Sequence, residues 1–244
     1  MNLKGKSILI TGAGVRIGRA IALALARRGS RLIIHYHHSK KDAAQTIRSV
    51  RALGAQAVGI QADLGRVDDL ERLADEAWKA HGKLDILINN AAVFPRTPLP
   101  AVDVEDWEAV MAVNLRAPFF LSKILGGKML RRGSGKILNI ADVSAERPWK
   151  DYLPYCISKA GVVALTRGMA RALAPNVQVN AIAPGPILAP PDLSRQERRR
   201  AIRMTPLGRW GSPEDIAQAA LFLLEGTDFV TGVVLPVDGG RLVY

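Results

Sequence analysis

The chain has 244 residues, a formal net charge of +12 and a single cysteine, Cys156. One cysteine excludes an internal disulfide and fits the reducing cytoplasm, where we expect the protein to be. The basic residues are spread along the chain and aromatic residues make up only 5 %, which argues against nucleic-acid binding by base stacking. No apolar run was found that approaches the roughly 20 residues of a membrane span, and the N-terminus does not read as a signal peptide.

The chain begins with an apolar segment at residues 6–10, followed by the sequence TGAGVRIG and an alanine- and leucine-rich helix. Gly12 would allow a tight turn, and Gly18 would allow the helix to pack closely on the sheet. A helix N-terminus offers N–H groups and a positive dipole to a phosphate. The arrangement predicts a dinucleotide-binding turn, with a simple tight turn as the alternative.

His37, His38 and Ser39 follow the second predicted strand and precede two lysines. An acidic residue at this place would accept hydrogen bonds from a free ribose 2′-OH, but none is present. Hydrogen-bond donors and cations suit a 2′-phosphate, with Arg16 close by, so the pattern favours NADP(H) over NAD(H). The alternative is a polar loop with two exposed histidines.

Seven apolar segments alternate with helices along the chain. This predicts one α/β domain over residues 1–244, with a Rossmann-type, doubly wound parallel sheet of seven strands and helices on both faces. Asp63, Asn90, Asp142 and Gly185 all follow predicted strand ends, as does Gly12. Ligands bind beyond the carboxyl ends of the strands in such sheets, so these residues predict one active site.

Tyr155 and Lys159 lie four residues apart in a predicted helix and therefore on one helix face. An ammonium group beside a phenol favours the phenolate, so we expect Lys159 to lower the pKa of Tyr155 from about 10. A tyrosine tuned in this way can exchange a proton near neutral pH. Asp142 stands thirteen residues before Tyr155 and could reach the same site. A tyrosine-lysine pair by itself is usually a surface accident, and its weight comes from the glycine turn upstream.

Together, the glycine pattern and the Tyr-x-x-x-Lys pair resemble the short-chain dehydrogenase/reductase family over essentially the whole chain. The resemblance implies that Tyr155 relays the proton, that Lys159 and Asp142 assist it, and that Asn114 supports a helix kink and a water relay. It also implies a homotetramer and no metal. The cofactor-binding residues that the resemblance indicates are Gly12, Arg16, Ile17, Gly18, His37, His38, Ser39, Asp63, Leu64, Asn90, Ala91, Lys159, Pro184, Gly185 and Ile187.

Arg16, the HHS run at residues 37–39, Phe94 and Asp142 further resemble the pteridine reductase branch of the family. This implies NADPH-dependent reduction of a planar, pterin-like ring such as a dihydropterin or dihydrofolate. The substrate contacts would come from Arg16, Phe94, Asp142 and Tyr155, with Phe94 stacking on the ring.

Two features leave other functions open. Most of the family has serine where this chain has Asp142, and Ala189 stands where a threonine usually contacts the cofactor. A serine hydroxyl donates to a substrate carbonyl, whereas an ionised carboxylate cannot. The alternatives are a carbonyl or 3-oxoacyl reductase of the same family and, more remotely, a dinucleotide-binding protein without catalysis.

Residues 186–203 are rich in proline and arginine and predict a substrate lid over the small-molecule site. The arginines at 195–203 form the densest basic cluster of the chain. They predict either a solvated helix face or a surface that steers an anionic cofactor or substrate.

Overall fold

The computed structural model describes residues 1–189 and 193–243. Within these ranges, parallel strands form one sheet in the order β3-β2-β1-β4-β5-β6-β7. The predicted seven-stranded, doubly wound sheet is confirmed. The strands are β1 (Ser7–Ile10), β2 (Arg31–Tyr36), β3 (Ala57–Gln61), β4 (Ile86–Asn89), β5 (Gly135–Ile140), β6 (Val177–Pro184) and β7 (Val234–Val237).

Helices cover both faces of the sheet. Strand residues alternate between two hydrophobic cores, so that Ile8 and Ile10 pack in one core and Leu9 in the other. Helices α1, α2 and α8 contribute to the first core, and α3, α5 and α6 to the second. The helices are α1 (Arg16–Ala26), α2 (Lys40–Ala52), α3 (Val67–Ala80), α4 (Val104–Met111), α5 (Ala117–Arg132), α6 (Leu153–Ala172), α7 (Arg195–Arg203) and α8 (Pro213–Leu221).

A π-helical turn, Ala112–Arg116, joins α4 to α5. The continuous helical run, Val104–Arg132, is long and apolar enough to cross a membrane by length and composition alone. The expectation that no apolar run has this length therefore fails here. Half of the most apolar window of this run is buried inside the fold, and Leu121, Leu125 and Met129 belong to the second core. These features are typical of a core helix of a folded domain.

The chain reverses its direction of winding between β1 and β4. Strands β2 and β3 lie on one side of β1, whereas β4 to β7 lie on the other. The helices that follow β1 and β4 then diverge to opposite faces and leave a crevice at the carboxyl ends of these strands. The fold thus places a ligand crevice beside Gly12 and Asn90.

Candidate active site

The ends of β1 and β4 are joined by side-chain hydrogen bonds. Thr11 Oγ1 accepts the backbone N–H groups of Asn90 and Ala91 at 2.9 and 3.0 Å. The Asn90 amide donates to the carbonyl oxygens of Thr11 and Gly12 at 2.8 and 3.1 Å. Gly12 has a φ of 63°, and a Cβ on Gly18 would lie 2.5 Å from the Gly12 carbonyl oxygen. Only glycine fits at either position, and the result is a fixed turn before α1.

Arg16 begins α1 with a φ of 53°, the one positive value outside glycine in the described part of the chain. This left-handed conformation is one that glycine adopts without strain. Arg16 Nη2 donates to the carbonyl oxygen of Leu188 at 3.3 Å. The guanidinium therefore reaches from the glycine turn across the cavity mouth to the segment after β6.

His35, in β2, is a site residue that the sequence analysis missed. Its Nδ1 accepts the N–H of Gly12 at 3.1 Å, and its Nε2 lies 3.0 Å from the carbonyl oxygen of Ala62. A neutral imidazole with its proton on Nε2 satisfies both contacts. Burial lowers the pKa of His35 to about 4, in agreement with this neutral form. The signal available in the sequence was the strand alternation, which places His35 on the buried face with Ile33.

The residues predicted for the 2′-phosphate lie together at the ends of β2 and β3. The rings of His37 and His38 have centroids 3.5 Å apart, and His37 Nε2 lies 3.8 Å from Asp63 Oδ2. Ser39 directly precedes α2. Asp63 also accepts the N–H of Gly65 at 2.8 Å. His38 and Ser39 are exposed, and His37 and Asp63 are partly exposed, so solvent reaches this cluster. Leu64, in contrast, packs its side chain into the second core.

Three ionisable side chains meet at the end of β5. The Tyr155 hydroxyl donates to Asp142 Oδ2 at 3.0 Å, and Asp142 Oδ1 accepts the N–H of Ser144 at 2.7 Å. Lys159 Nζ donates to the carbonyl oxygen of Ile140 at 2.7 Å and lies 5.6 Å from the centre of the Tyr155 ring. Tyr155 and Lys159 are 8 % and 3 % exposed, so these contacts form largely away from water.

The electrostatics of this group differ from the sequence prediction. Burial raises the pKa of Tyr155 well above its usual value, and the charge of Asp142 acts in the same direction. The predicted lowering by Lys159 is wrong for this structure, because the phenol contacts a carboxylate while the ammonium contacts a carbonyl oxygen. Burial lowers the pKa of Lys159 to about 8 and raises that of Asp142.

Asn114 lies in the π-helical turn and holds the segment that follows β4. Its amide donates to the carbonyl oxygen of Val93 at 2.9 Å and to Ser158 Oγ at 3.2 Å. Its oxygen accepts the N–H of Val93 at 2.9 Å. The expected departure from regular helix at Asn114 is present, and the side chain fixes the backbone immediately before Phe94.

Phe94 belongs to an aromatic cluster beside Tyr155. Its ring stacks on Tyr152, with centroids 4.4 Å apart and planes 5° apart. The Tyr155 ring meets it edge-on at 4.5 Å, and Trp149 does so at 6.0 Å. Phe94 was predicted to stack on a substrate, and one of its two faces is occupied by Tyr152.

Many of the predicted residues line one open cavity of about 1020 Å³. It runs from the glycine turn to the aromatic cluster, and the predicted lid lies along it at Ile187, Leu188 and α7. Residues 190–192 of the predicted lid lie outside the described residues. The predicted residues that line the cavity are Gly12, Arg16, Ile17, Gly18, Asn90, Ala91, Phe94, Asp142, Tyr155, Lys159, Pro184, Gly185 and Ile187. His37, His38, Ser39, Asp63, Leu64 and Asn114 lie outside its lining.

Comparison with known proteins identifies the family. The family profile described as enoyl-(acyl carrier protein) reductase matches residues 12–241. A 3β-hydroxysteroid dehydrogenase of Eggerthella lenta is 34 % identical over 250 residues, covering 100 % of this chain and 96 % of the relative. The chain belongs to the short-chain dehydrogenase/reductase family. It is therefore an oxidoreductase.

Other relatives also match nearly the whole length of this chain. A 3-oxoacyl-(acyl carrier protein) reductase of Synechocystis is 33 % identical, covering 99 % of both chains. A structure described provisionally as a short-chain alcohol dehydrogenase from Sinorhizobium meliloti superimposes with a TM-score of 0.94, at 31 % identity, covering 99 % of this chain and 98 % of that one. These relatives support the wider family and a carbonyl or alcohol substrate. They do not support the predicted resemblance to pteridine reductases in particular.

The cofactor of this short-chain reductase is NADP(H). A blue fluorescent protein from a metagenomic library, solved in complex with NADPH, superimposes with a TM-score of 0.91 at 33 % identity, covering 99 % of both chains. The residues of this chain fit such a cofactor, because α1 begins at the cavity and has no acidic residue in its first turn. Its free N–H groups and positive dipole suit a diphosphate.

We expect Arg16→Gly to be more stable than Arg16→Ala by about 1 kcal/mol, because only glycine adopts the left-handed conformation without strain. Both variants lack the guanidinium and should bind NADPH about tenfold more weakly. Affinity for NADH, which has no 2′-phosphate, should hardly change. Chemical denaturation and fluorescence titration with both cofactors measure these effects. An equal loss of NADPH and NADH affinity would contradict a phosphate contact by Arg16.

We expect His35 to make stability fall on acidification. The unfolded imidazole takes up a proton near its ordinary pKa of 6.5, whereas the buried one does so only near a pKa of about 4. The unfolded state thus binds more protons in this window, so the free energy of unfolding falls as pH decreases through it, by up to about 1.4 kcal/mol per unit. His35→Asn should remove this part of the slope, whereas the exposed control His38→Asn should retain it. Denaturation at several pH values measures both, and identical slopes for wild type and His35→Asn would refute the assignment.

Proposed function

We propose that this enzyme is an NADPH-dependent carbonyl reductase that acts on a ketone of a small molecule, such as a 3-oxoacyl compound, in the cytoplasm. The observation that carries the proposal is the direct contact of the Tyr155 hydroxyl with Asp142 beside buried Lys159. This group lies in the same cavity as the glycine turn. The relatives, which include a hydroxysteroid dehydrogenase and a 3-oxoacyl reductase, support a carbonyl substrate.

When bound, NADPH supplies the hydride that reduces the carbonyl carbon. Tyr155 gives its hydroxyl proton to the carbonyl oxygen, and Lys159 stabilises the phenolate that remains by its positive charge. Asn114 acts as a positioning residue, because it holds the backbone before Phe94 and bonds Ser158 on the catalytic helix α6. A water relay from Asn114 to Lys159 belongs to the same proposal.

Asp142 takes the place of the usual serine. Burial raises the pKa of Asp142 and shifts its equilibrium toward the neutral form, whereas the hydrogen bonds from Ser144 and Tyr155 and the charge of Lys159 act in the opposite direction. A neutral carboxyl group has an O–H that can donate to a substrate carbonyl, as a serine hydroxyl does. Asp142 therefore serves as the second donor to the carbonyl oxygen when protonated, and it blocks this role when ionised.

The predicted residues would divide the contacts to NADP(H) among them. Gly12, Ile17 and Gly18 would hold the diphosphate at the start of α1, and Arg16 would join the HHS run at residues 37–39 on the 2′-phosphate. Asp63 and the backbone of Leu64 would border the adenine, whereas Lys159 would hold the nicotinamide ribose. The remaining contacts, around the nicotinamide and its ribose, are Asn90, Ala91, Pro184, Gly185 and Ile187. Residues 186–203 act as the lid.

Reduction of a pterin-like ring is the second candidate. Asp142 in contact with Tyr155 could bond the amino group of a pterin or help to protonate a ring nitrogen. Phe94 lines the cavity, and Tyr152 covers one of its faces, which leaves the other for a flat ring. Arg16, at the cavity mouth, would add a further contact.

NADPH oxidation with a β-ketoester, run beside dihydrobiopterin and dihydrofolate, separates the two candidates. We expect turnover of the ketoester, and Tyr155→Phe should lower it by at least about a hundredfold while NADPH still binds. Turnover of the pterin alone would overturn the carbonyl proposal, and full activity of Tyr155→Phe would remove Tyr155 from the mechanism.

Asp142→Ser tests the role of the acid. Ketone reduction by the wild type should decline as pH rises, since the raised pKa of Asp142 is then passed and the O–H donor is lost. The serine variant should keep or improve ketoester turnover and lack this decline. Loss of ketoester turnover at every pH in Asp142→Ser would show that serine cannot replace the carboxyl group.

The family resemblance also leads us to propose a homotetramer. An apolar groove runs between the α4–α5 run and α6, lined by Trp107, Met111, Leu115, Phe119 and Leu165 among others. Gly168 lies in this groove, and a Cβ at this position would meet no atom within 4 Å. The groove is therefore a suitable contact for a second copy of the chain.

Gly168→Arg should be tolerated within one copy but should block contact across the groove. We expect a smaller assembly by light scattering, with unchanged helix content. Ala80→Arg, at the exposed end of α3, is the control for added charge. An unchanged mass for Gly168→Arg would exclude this groove as the contact between copies.

A further inference from the structure

Besides Arg16, three arginines line the same cavity as Tyr155 and Asp142. Arg147 lies in the loop after β5, Arg200 in α7, and Arg241 in the turn after β7. We call these three residues the arginine wall. They come from distant parts of the chain, and only Arg200 belongs to the basic cluster that the sequence reveals.

Backbone contacts hold the arginine wall together. Arg147 Nη1 donates to the carbonyl oxygen of Arg241 at 3.0 Å. Arg241 Nη1 donates to the carbonyl oxygen of Ala201 at 3.0 Å, one residue after Arg200. Arg241 is half-buried, whereas Arg147 and Arg200 are exposed at the cavity rim. The three side chains thus line one side of the cavity, and Arg147 and Arg241 each use only part of their hydrogen-bonding capacity.

The arginine wall has no ion-pair partner within the described part of the chain. None of its three residues forms an ion pair there. Burial lowers the pKa of Arg241. The charges of Asp142 and Asp238 raise it, whereas those of Arg147 and Arg200 lower it, so Arg241 lies within reach of charges of both signs.

The nearby carboxylates are engaged elsewhere. Asp238 accepts the N–H groups of Gly240 and Leu242 at 2.9 and 2.8 Å. Glu197 caps the start of α7 through Ser194. Asp142 accepts from the Tyr155 hydroxyl and the Ser144 backbone. A cavity with several unmatched guanidinium groups favours a ligand that brings negative charge.

We propose that the arginine wall binds an anionic group of the substrate, a carboxylate or a phosphate, so that the enzyme prefers charged carbonyl compounds to neutral ones. This deepens the proposed carbonyl reduction and rests on it for the site of chemistry. The guanidinium groups hold the anion while Tyr155 and Asp142 face the carbonyl oxygen. Arg241 is the specificity-determining residue. Its guanidinium is half-buried and therefore less hydrated than those of Arg147 and Arg200, so the charge of a bound anion stabilises it most.

The first test compares oxo acids with their own methyl esters. NADPH oxidation is measured with 3-oxobutanoate and 5-oxohexanoate and with the two esters. We expect the acid of the better-fitting length to exceed its ester in kcat/KM by about tenfold. Arg241→Gln should lower kcat/KM for that acid by about 10- to 100-fold and for the ester by less than about threefold. An equal loss for acid and ester would overturn the proposal.

Two further variants separate local contact from overall charge. Arg203 lies in α7, as Arg200 does, but it is exposed and does not line the cavity. Arg203→Gln therefore removes one charge nearby and should leave the preference for the acid unchanged. Arg241→Lys keeps the charge and should retain most of the preference. If Arg241→Gln does not fold, Arg147→Gln provides the same comparison, with a smaller expected loss. Loss of the preference in Arg203→Gln would show long-range steering instead of a binding site.

A binding measurement makes the inference independent of turnover. Hexanoate, hexanol and inorganic phosphate are titrated calorimetrically into the enzyme saturated with NADP⁺. We expect an anion to bind, hexanol not to bind, and Arg241→Gln to weaken the anion about tenfold or more. Stronger binding of hexanoate indicates a carboxylate substrate, and stronger binding of phosphate indicates a phosphorylated one. If neither anion binds, the proposal that the arginine wall binds an anion is overturned.

The outcomes distinguish the two proposals. If the enzyme reduces no ketone but binds the anion through Arg241, the carbonyl proposal fails and the arginine wall stands. If it reduces the esters as well as the acids and binds no anion, carbonyl reduction stands and the arginine wall fails.

Discussion

The burial of a phenol, a carboxyl group and an ammonium group at one end of the sheet is the constraint on which this site depends. Burial acts on each of them toward its neutral form: it raises the pKa of Tyr155 and Asp142 and lowers that of Lys159 to about 8. The charge of Lys159 opposes this effect on Asp142, and the charge of Asp142 opposes it on Lys159, so the protonation states of these two groups are coupled. The surrounding fold supports this group, because the carbonyl oxygen of Ile140 and the N–H of Ser144 hold two of its members in place.

A second set of contacts holds the cofactor side of the cavity rigid. Thr11, His35 and Asn90 bind the backbone of the glycine turn and join it to the ends of β3 and β4. The conformation of Arg16 is strained, and it places a guanidinium at the mouth of the cavity. Backbone that is fixed in this way can present N–H groups to a phosphate with little further loss of entropy on binding.

The substrate side differs from the cofactor side in charge and in composition. Phe94, Trp149 and Tyr152 form its aromatic cluster, and Arg147 and Arg241 carry the unmatched charge of the arginine wall. In the proposed reaction, the aromatic rings would exclude water from the carbonyl and the guanidinium groups would select for an anion. Asp142 would act as a titrating donor, so the proposed substrate preference and pH dependence both depend on side chains of this cavity.

The sequence by itself determined the doubly wound fold, the glycine turn, the NADP(H) preference and the positions of Tyr155, Lys159 and Asp142. Those features are local: strand periodicity, glycine spacing and helical spacing depend on neighbours along the chain. The sequence did not reveal the role of His35, the raised pKa of Tyr155 or the arginine wall. It also indicated a resemblance to the pteridine reductase branch that the relatives do not support. Burial and charge depend on which residues meet in space. Arg147 and Arg241, nearly a hundred residues apart, come together only because β5, β6 and β7 lie side by side in the sheet.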